Sequence, residues 1–237
     1  MNLVRIAETL AEEVGRLRFS PPVAHVYNPL VYARVPHLLY LNRFGEGAKE
    51  AVFVGMNPGP WGMAQTGVPF GEVGLVREWL SIEGTVGKPP DGHPKKPVEG
   101  FACRRSEVSG RRLWGLFRRI FPDPVRFFGR FFVLNYCPLL FLDAAGRNIT
   151  PDKLRPAERA PLLAVCDKAL RRSVERLRPA RVIGIGTFAA QQATTALAGL
   201  DLPVGRILHP SPANPGANRN WEETVLRQLR EQGIELS

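Results

Sequence analysis

Four short apolar runs, at 51–55, 131–134, 181–185 and 204–208, alternate with stretches whose apolar residues recur at helical spacing, at 74–82, 111–121, 156–177 and 188–197. Strands separated by helix-length crossovers pair in parallel, so the pattern predicts an α/β fold with a central parallel sheet flanked by helices. An amphipathic helix over 3–19 (Leu3, Ile6, Leu10, Val14, Leu17) opens the chain, and a mixed-charge helix over 220–232 closes it. The length suits one domain spanning 1–237. In open parallel sheets, ligands bind beyond the carboxyl ends of the strands, where strand order reverses. Asn57, Asn135 and His209 each fall just past such an end, so one sheet edge is expected to gather all three.

The run at 51–55 leads into GMNPGPWGMAQTGVPFG, Gly55 to Gly71. Asn57-Pro58-Gly59 puts a side-chain amide on a rigid bend; Pro presets φ, and Gly59 is expected to supply the positive φ of a type II turn. An amide is both donor and acceptor, so it can hold a water beside a reacting carbon. The run at 204–208 stops at His209, which opens HPSPANPGAN. An imidazole there can donate to charge that develops on a leaving group.

Lys plus Arg number 32 against 22 Asp plus Glu, a net charge of +10 that favours a polyanionic partner. No apolar run is long enough for a membrane span, and the first residues lack the order of a signal peptide. Cys103, Cys137 and Cys166 form no CxxC pair, which suggests a reducing compartment and no metal. The irregular stretch 84–112, rich in Gly, Pro, Lys and Arg, is long for a passive loop.

Taken together, the segments GMNPGPWGMAQTGVPFG and HPSPANPGAN resemble the two active-site motifs of the single-strand-selective monofunctional uracil-DNA glycosylases. The resemblance extends through VYNPLVYA near Tyr27, GHPKKPVEGFACRRSEVSGRRLW from Gly92 to Trp114, and LNYCPL around Asn135. It implies a four-stranded sheet of order 2-1-3-4 and excision of uracil, and of 5-hydroxymethyluracil and related pyrimidines, from single- or double-stranded DNA. The protein is then expected to be a monomer without cofactor, cytoplasmic and nucleoid-associated in a bacterium or nuclear in a eukaryote.

By the same resemblance, Asn57 positions the attacking water and His209 stabilises charge on the pyrimidine O2. Asn135 reads the base: one amide satisfies the O4 acceptor and N3–H donor of uracil but meets cytosine donor to donor. Phe70 is the stacking face, and Gly59 and Met63 border C5. Lys95, Lys96, Arg104, Arg105, Arg111 and Arg112 are candidate backbone contacts, and Ser109 a candidate phosphate site at a helix start. Ser211, Pro212 and Ala213 form the loop that presses on the base stack. Vertebrate members carry a large basic side chain at its tip, and Ala213 cannot fill that role. Neither motif contains lysine, so no amine nucleophile is expected. Two alternatives stay open. One is a non-catalytic DNA-binding module on the same fold. The other is a nucleotide-dependent oxidoreductase, suggested by Gly184-Ile185-Gly186-Thr187-Phe188-Ala189, although close strand–helix packing explains that stretch better.

Overall fold

The computed structural model describes residues 1–236. Its strands are β1 (His25–Tyr27), β2 (Ala51–Gly55), β3 (Phe131–Asn135), β4 (Leu140–Leu142), β5 (Asn148–Ile149), β6 (Arg181–Ile185) and β7 (Val204–Ile207). The helices are α1 (Leu3–Gly15), α2 (Pro29–Tyr32), α3 (Arg34–Phe44), α4 (Met63–Thr66), α5 (Val73–Glu78), α6 (Val108–Ile120), α7 (Pro124–Arg130), α8 (Pro156–Leu177), α9 (Thr187–Ala196) and α10 (Trp221–Glu231).

β2, β3, β6 and β7 pair in parallel in the order β3-β2-β6-β7. Counted along the chain within this sheet, that is the expected 2-1-3-4. All five residues of β2 are buried, because the strand is paired on both edges and covered on both faces. Phe53 turns to one face, 5.5 Å from Phe117 of α6 and 5.8 Å from Phe131. On the opposite face Tyr40 of α3 lies 5.1 Å from Phe132 and donates its hydroxyl to the Val133 carbonyl at 2.9 Å. Gly184 also turns to that side, where a Cβ would sit 2.3 Å from the Ala190 nitrogen of α9. Strand and helix are therefore in backbone contact, which accounts for the first glycine of GIGTFA without a nucleotide.

Several elements were not legible in the sequence. β1, β4 and β5 form a second, antiparallel sheet of order β1-β4-β5, from strands too short to show alternation. In α3 the exposed Val35 and Leu39 blur the buried stripe of Pro36, Tyr40, Leu41 and Phe44, and α2, α4 and α7 are each short. α1 ends at Gly15 rather than at 19, and Phe19 instead packs edge-on to Phe141 at 4.8 Å. Asn135 is the last residue of β3, paired with Gly55, rather than a loop residue beyond it.

The stretch 84–107 is tied down despite its irregular backbone. Gln65 donates to the carbonyls of Pro60 and Pro97 at 2.8 and 3.0 Å, and its Oε1 accepts from the Glu99 and Gly100 amides at 2.8 and 3.1 Å. The Tyr27 hydroxyl donates to the Lys96 carbonyl at 2.8 Å and accepts from the His93 amide at 2.6 Å. The Gln65 bonds tie this stretch to the segment after β2, and the Tyr27 bonds tie it to β1. Among the described residues no helix is long and apolar enough to cross a membrane.

Candidate active site

Beyond the carboxyl ends of β2, β3 and β7 lies a cavity of about 350 Å3, lined among others by Asn57, Gly59, Phe70, Glu107, Ser109, Asn135, His209 and Ser211. Asn57 stands two residues past β2, and its Nδ2 donates to the Leu139 carbonyl at 3.2 Å. That bond fixes the amide and leaves Oδ1 as the free acceptor.

His209 stands two residues past β7. Its Nδ1 accepts from the Ser211 amide at 3.1 Å, so the proton of the neutral ring resides on Nε2. Burial lowers its pKa from 6.5 to about 4, so the ring is a neutral donor at physiological pH. Gly186, at φ 91, passes beside it; a Cβ there would lie 3.1 Å from the His209 Cβ. The second glycine of GIGTFA thus serves the histidine.

Asn135 donates from Nδ2 to the Met63 Sδ at 3.2 Å. A Cβ on Gly55 would meet Asn135 Oδ1 and Phe70 Cε2, each at 2.5 Å. The bare backbone of Gly55 therefore lets the amide and the ring come together. Phe70 sits at φ 54, a conformation that costs a non-glycine residue on the order of 1–3 kcal/mol. Its neighbours hold it there: the Glu72 amide donates to the Phe70 carbonyl at 2.7 Å, and the Trp114 indole donates to Pro69 at 3.0 Å. A Cβ on Gly110 would lie 2.0 Å from that same Phe70 carbonyl. The Phe70 and His209 ring centres are 6.1 Å apart.

Some expected residues stand elsewhere. Met63 does not line this cavity; its side chain lies behind Asn135 and orients the amide. Gly59 is not at positive φ. What it provides is close approach, since a Cβ there would lie 3.3 Å from Glu107 Oε1. Arg112 is not free for phosphate, because it donates to the Pro210 carbonyl at 2.8 Å and to Asn218 Oδ1 at 3.3 Å, bracing the turn after His209. Ser109 lines the cavity, but the start of α6 is capped from within: the Glu107 carboxyl accepts from the Gly110 amide at 3.2 Å. A phosphate there would meet a carboxylate. Lys95, Arg104, Arg105 and Arg111 are exposed, Lys96 half-buried, and Pro212 and Ala213 lie on the exposed turn.

The sequence reading passed over Glu107, Gly55 and Trp61. Trp61 lies between Lys96 and Arg105, with the cations 4.9 and 4.4 Å from its ring centre. Its place between glycines in GPWGM was a signal. Glu107 gave little, since SEVSG looks like an ordinary helix start. Burial raises the Glu107 pKa above 4.5, against the hydrogen bonds from Gly110 and Ser109. No ion pair is recorded for it among the described residues.

A half-buried acceptor, a neutral imidazole donor, a fixed amide and an aromatic face, set around one cavity in a basic chain, suit a flat polar base turned out of a nucleic acid. The uracil DNA glycosylase superfamily matches residues 43–230. A single-strand selective monofunctional uracil-DNA glycosylase of Rattus norvegicus is 51% identical over 227 residues, covering 95% of this chain and 82% of the rat protein. The Bos taurus protein of that name is also 51% identical, over 95% of this chain and 84% of its own length. The crystal structure of the wild-type SMUG2 of Pedobacter heparinus is similar at a TM-score of 0.66 over 96% of this chain and 98% of that one, with 14% identity, a likeness of fold. The chain belongs to the single-strand-selective monofunctional uracil-DNA glycosylases, within the uracil DNA glycosylase superfamily.

Proposed function

We propose that the protein excises uracil from DNA by hydrolysing the N-glycosidic bond, and that the cavity beyond β2, β3 and β7 is where it does so. The observation that carries this is the convergence of Asn57 Oδ1, His209 Nε2–H, the Asn135 amide and the Phe70 ring on one cavity. The turned-out base stacks on Phe70, while Asn135 satisfies O4 and N3–H. Asn57 accepts from a water and aims it at the anomeric carbon. As the bond to N1 lengthens, the sugar gains cation character and the pyrimidine gains negative charge. The His209 Nε2–H then donates to O2, a bond that strengthens only as that charge develops. With no formal charge on Asn57 or on neutral His209, stabilisation of the leaving group supplies much of the acceleration. Water takes the sugar, leaving an abasic site for base excision repair.

Lys95, Lys96, Arg104, Arg105 and Arg111 supply the electrostatic attraction to the strand. Ser211, Pro212 and Ala213 press on the stack beside the extruded base. Because Ala213 is small, the gap left by the base goes unfilled, which suits single strands, where no partner base has to be replaced. The substrate range includes 5-hydroxymethyluracil and related pyrimidines, for which Gly59 leaves room. The protein acts as a monomer where DNA is held, in a bacterial nucleoid or a nucleus.

Asn57→Ala and His209→Ala test these roles. Each is expected to lower single-turnover cleavage by roughly 100-fold or more, while binding to uracil-containing DNA persists. Near wild-type cleavage by either variant would remove that residue from the mechanism.

A further inference from the structure

Glu107 is the one acidic side chain lining the cavity, and nothing in the excision of unsubstituted uracil requires it. Its carboxyl has a defined surrounding. One oxygen, Oε2, accepts from the Gly110 amide at 3.2 Å. A carboxylate offers about four lone-pair positions, so it keeps a free lone pair for a further donor. Oε1 points to the bare backbone of Gly59, where a Cβ would lie 3.3 Å away, while a Cβ on Gly62 would lie 2.6 Å from Oε2. Two glycines thus let a half-buried carboxyl, with no cation beside it, pack against their bare backbones at the cavity wall. Ring edges O2, N3–H and O4 are taken by His209 and Asn135 in the pose above, so C5 is left to the wall that Gly59 and Glu107 share.

We propose that Glu107 is a specificity-determining residue for the C5 substituent of the flipped pyrimidine, accepting a hydrogen bond from a 5-hydroxymethyl group and disfavouring methyl and carboxyl groups. This rests on the base pose given under the proposed function. A hydroxymethyl group brings a donor to the free lone pair. A methyl group of similar size covers the carboxylate and returns no hydrogen bond, which leaves a buried charge short of a partner. A 5-carboxyl group sets like charge against like. Gly59 lets the carboxyl reach the cavity wall, and Glu107 sets the chemistry there.

The test is the single-turnover release of free base from single-stranded oligonucleotides carrying uracil, 5-hydroxymethyluracil, 5-carboxyluracil or thymine, by the full chain and two variants. Glu107→Gln keeps the shape and an acceptor oxygen but loses the charge; Glu107→Asp keeps the helix cap and withdraws the carboxylate by one methylene. Glu107→Gln is expected to lower the ratio of 5-hydroxymethyluracil to uracil release about tenfold, the scale of a charge-assisted hydrogen bond, and to raise 5-carboxyluracil release. Glu107→Asp should lower the hydroxymethyl ratio as well, without relieving the carboxyl substrate. Opposite shifts on two substrates cannot come from a weakened helix cap. An equal fall on every base would place the carboxylate's role at the sugar and overturn the proposal, as would unchanged ratios in both variants. If the wild type releases uracil but not 5-hydroxymethyluracil, the specificity assignment fails while uracil excision stands. Release of neither base would sink the proposed function itself.

Discussion

Asn57, Asn135 and His209 each have two chemically different ends, and in each case a neighbour holds one of them. The Leu139 carbonyl holds the Asn57 amine, the Met63 sulfur holds that of Asn135, and the Ser211 amide holds Nδ1 of His209. What remains is an acceptor, an amide and a donor fixed before substrate arrives, which the proposed mechanism assigns to water, the base and O2. Such preorganisation removes the reorganisation that water would need in solution. It depends on Gly55, which the sequence presents merely as the end of a strand. Gly55→Ala would place a methyl group 2.5 Å from both Asn135 Oδ1 and Phe70 Cε2, so both must move. A displacement of that kind costs on the order of 100-fold in rate. Steady-state kinetics with a thermal melt should show this loss in a variant that still folds cooperatively; activity within a few-fold of wild type would mean that the two groups need not meet.

The motif loops, by contrast, work as parts. The turn from Ser211 to Asn218 carries its own bonds, among them Asn218 Nδ2 to the Pro212 carbonyl at 2.8 Å and the Asn214 amide to the Ser211 carbonyl at 3.0 Å. Arg112 then clamps it to α6 through Pro210 and Asn218. Arg112→Ala is therefore expected to slow cleavage while leaving the salt dependence of DNA binding unchanged. Loss of a true phosphate contact lowers the slope of log K against log salt by roughly 1. A slope change of that size in Arg112→Ala would restore it to the DNA contacts. This division explains what the sequence disclosed. The long strands and α8 declared themselves by pattern, and the motifs singled out Asn57, Asn135, Phe70 and His209, which the fold brings to one cavity. The role of Arg112 did not, because an arginine on a helix looks the same whether it faces phosphate or a carbonyl far along the chain. Nor did that of Glu107, since its meaning depends on Gly59 and Gly62, brought beside it by the Gln65 bridge.

Over the whole molecule, sheet order brings residues 57, 135 and 209 to one edge, while an aromatic cluster packs the elements that lead into β2 and β3. Phe44 and Phe128 stack at 4.0 Å, and Phe117 and Phe127 lie 4.4 Å apart. Behind the site, His37 is fully enclosed; its Nδ1–H donates to the Gly67 carbonyl at 2.8 Å, and burial lowers its pKa from 6.5 to about 4. The unfolded chain therefore takes up this proton first, and the native state loses stability as pH falls from 6.5 towards 4. The loss attributable to His37 is about 3 kcal/mol across that window. Denaturant titrations should give a shallower pH slope there for His37→Gln than for wild type; equal slopes would mean His37 is not held neutral. His209 contributes with the same sign, while the raised carboxyls of Glu107 and Asp167 oppose it, so the difference between the two proteins is the quantity to read. The central claim is that this cavity releases uracil by hydrolysis, with water and not a lysine as nucleophile. Its most direct test is chromatography of free base from a single-stranded oligonucleotide containing one uracil, run alongside borohydride trapping. The account predicts stoichiometric free uracil, none from a cytosine control, a backbone that stays intact until alkali is added, and no trapped protein–DNA adduct; absence of free uracil, or a borohydride-trapped adduct, would contradict it.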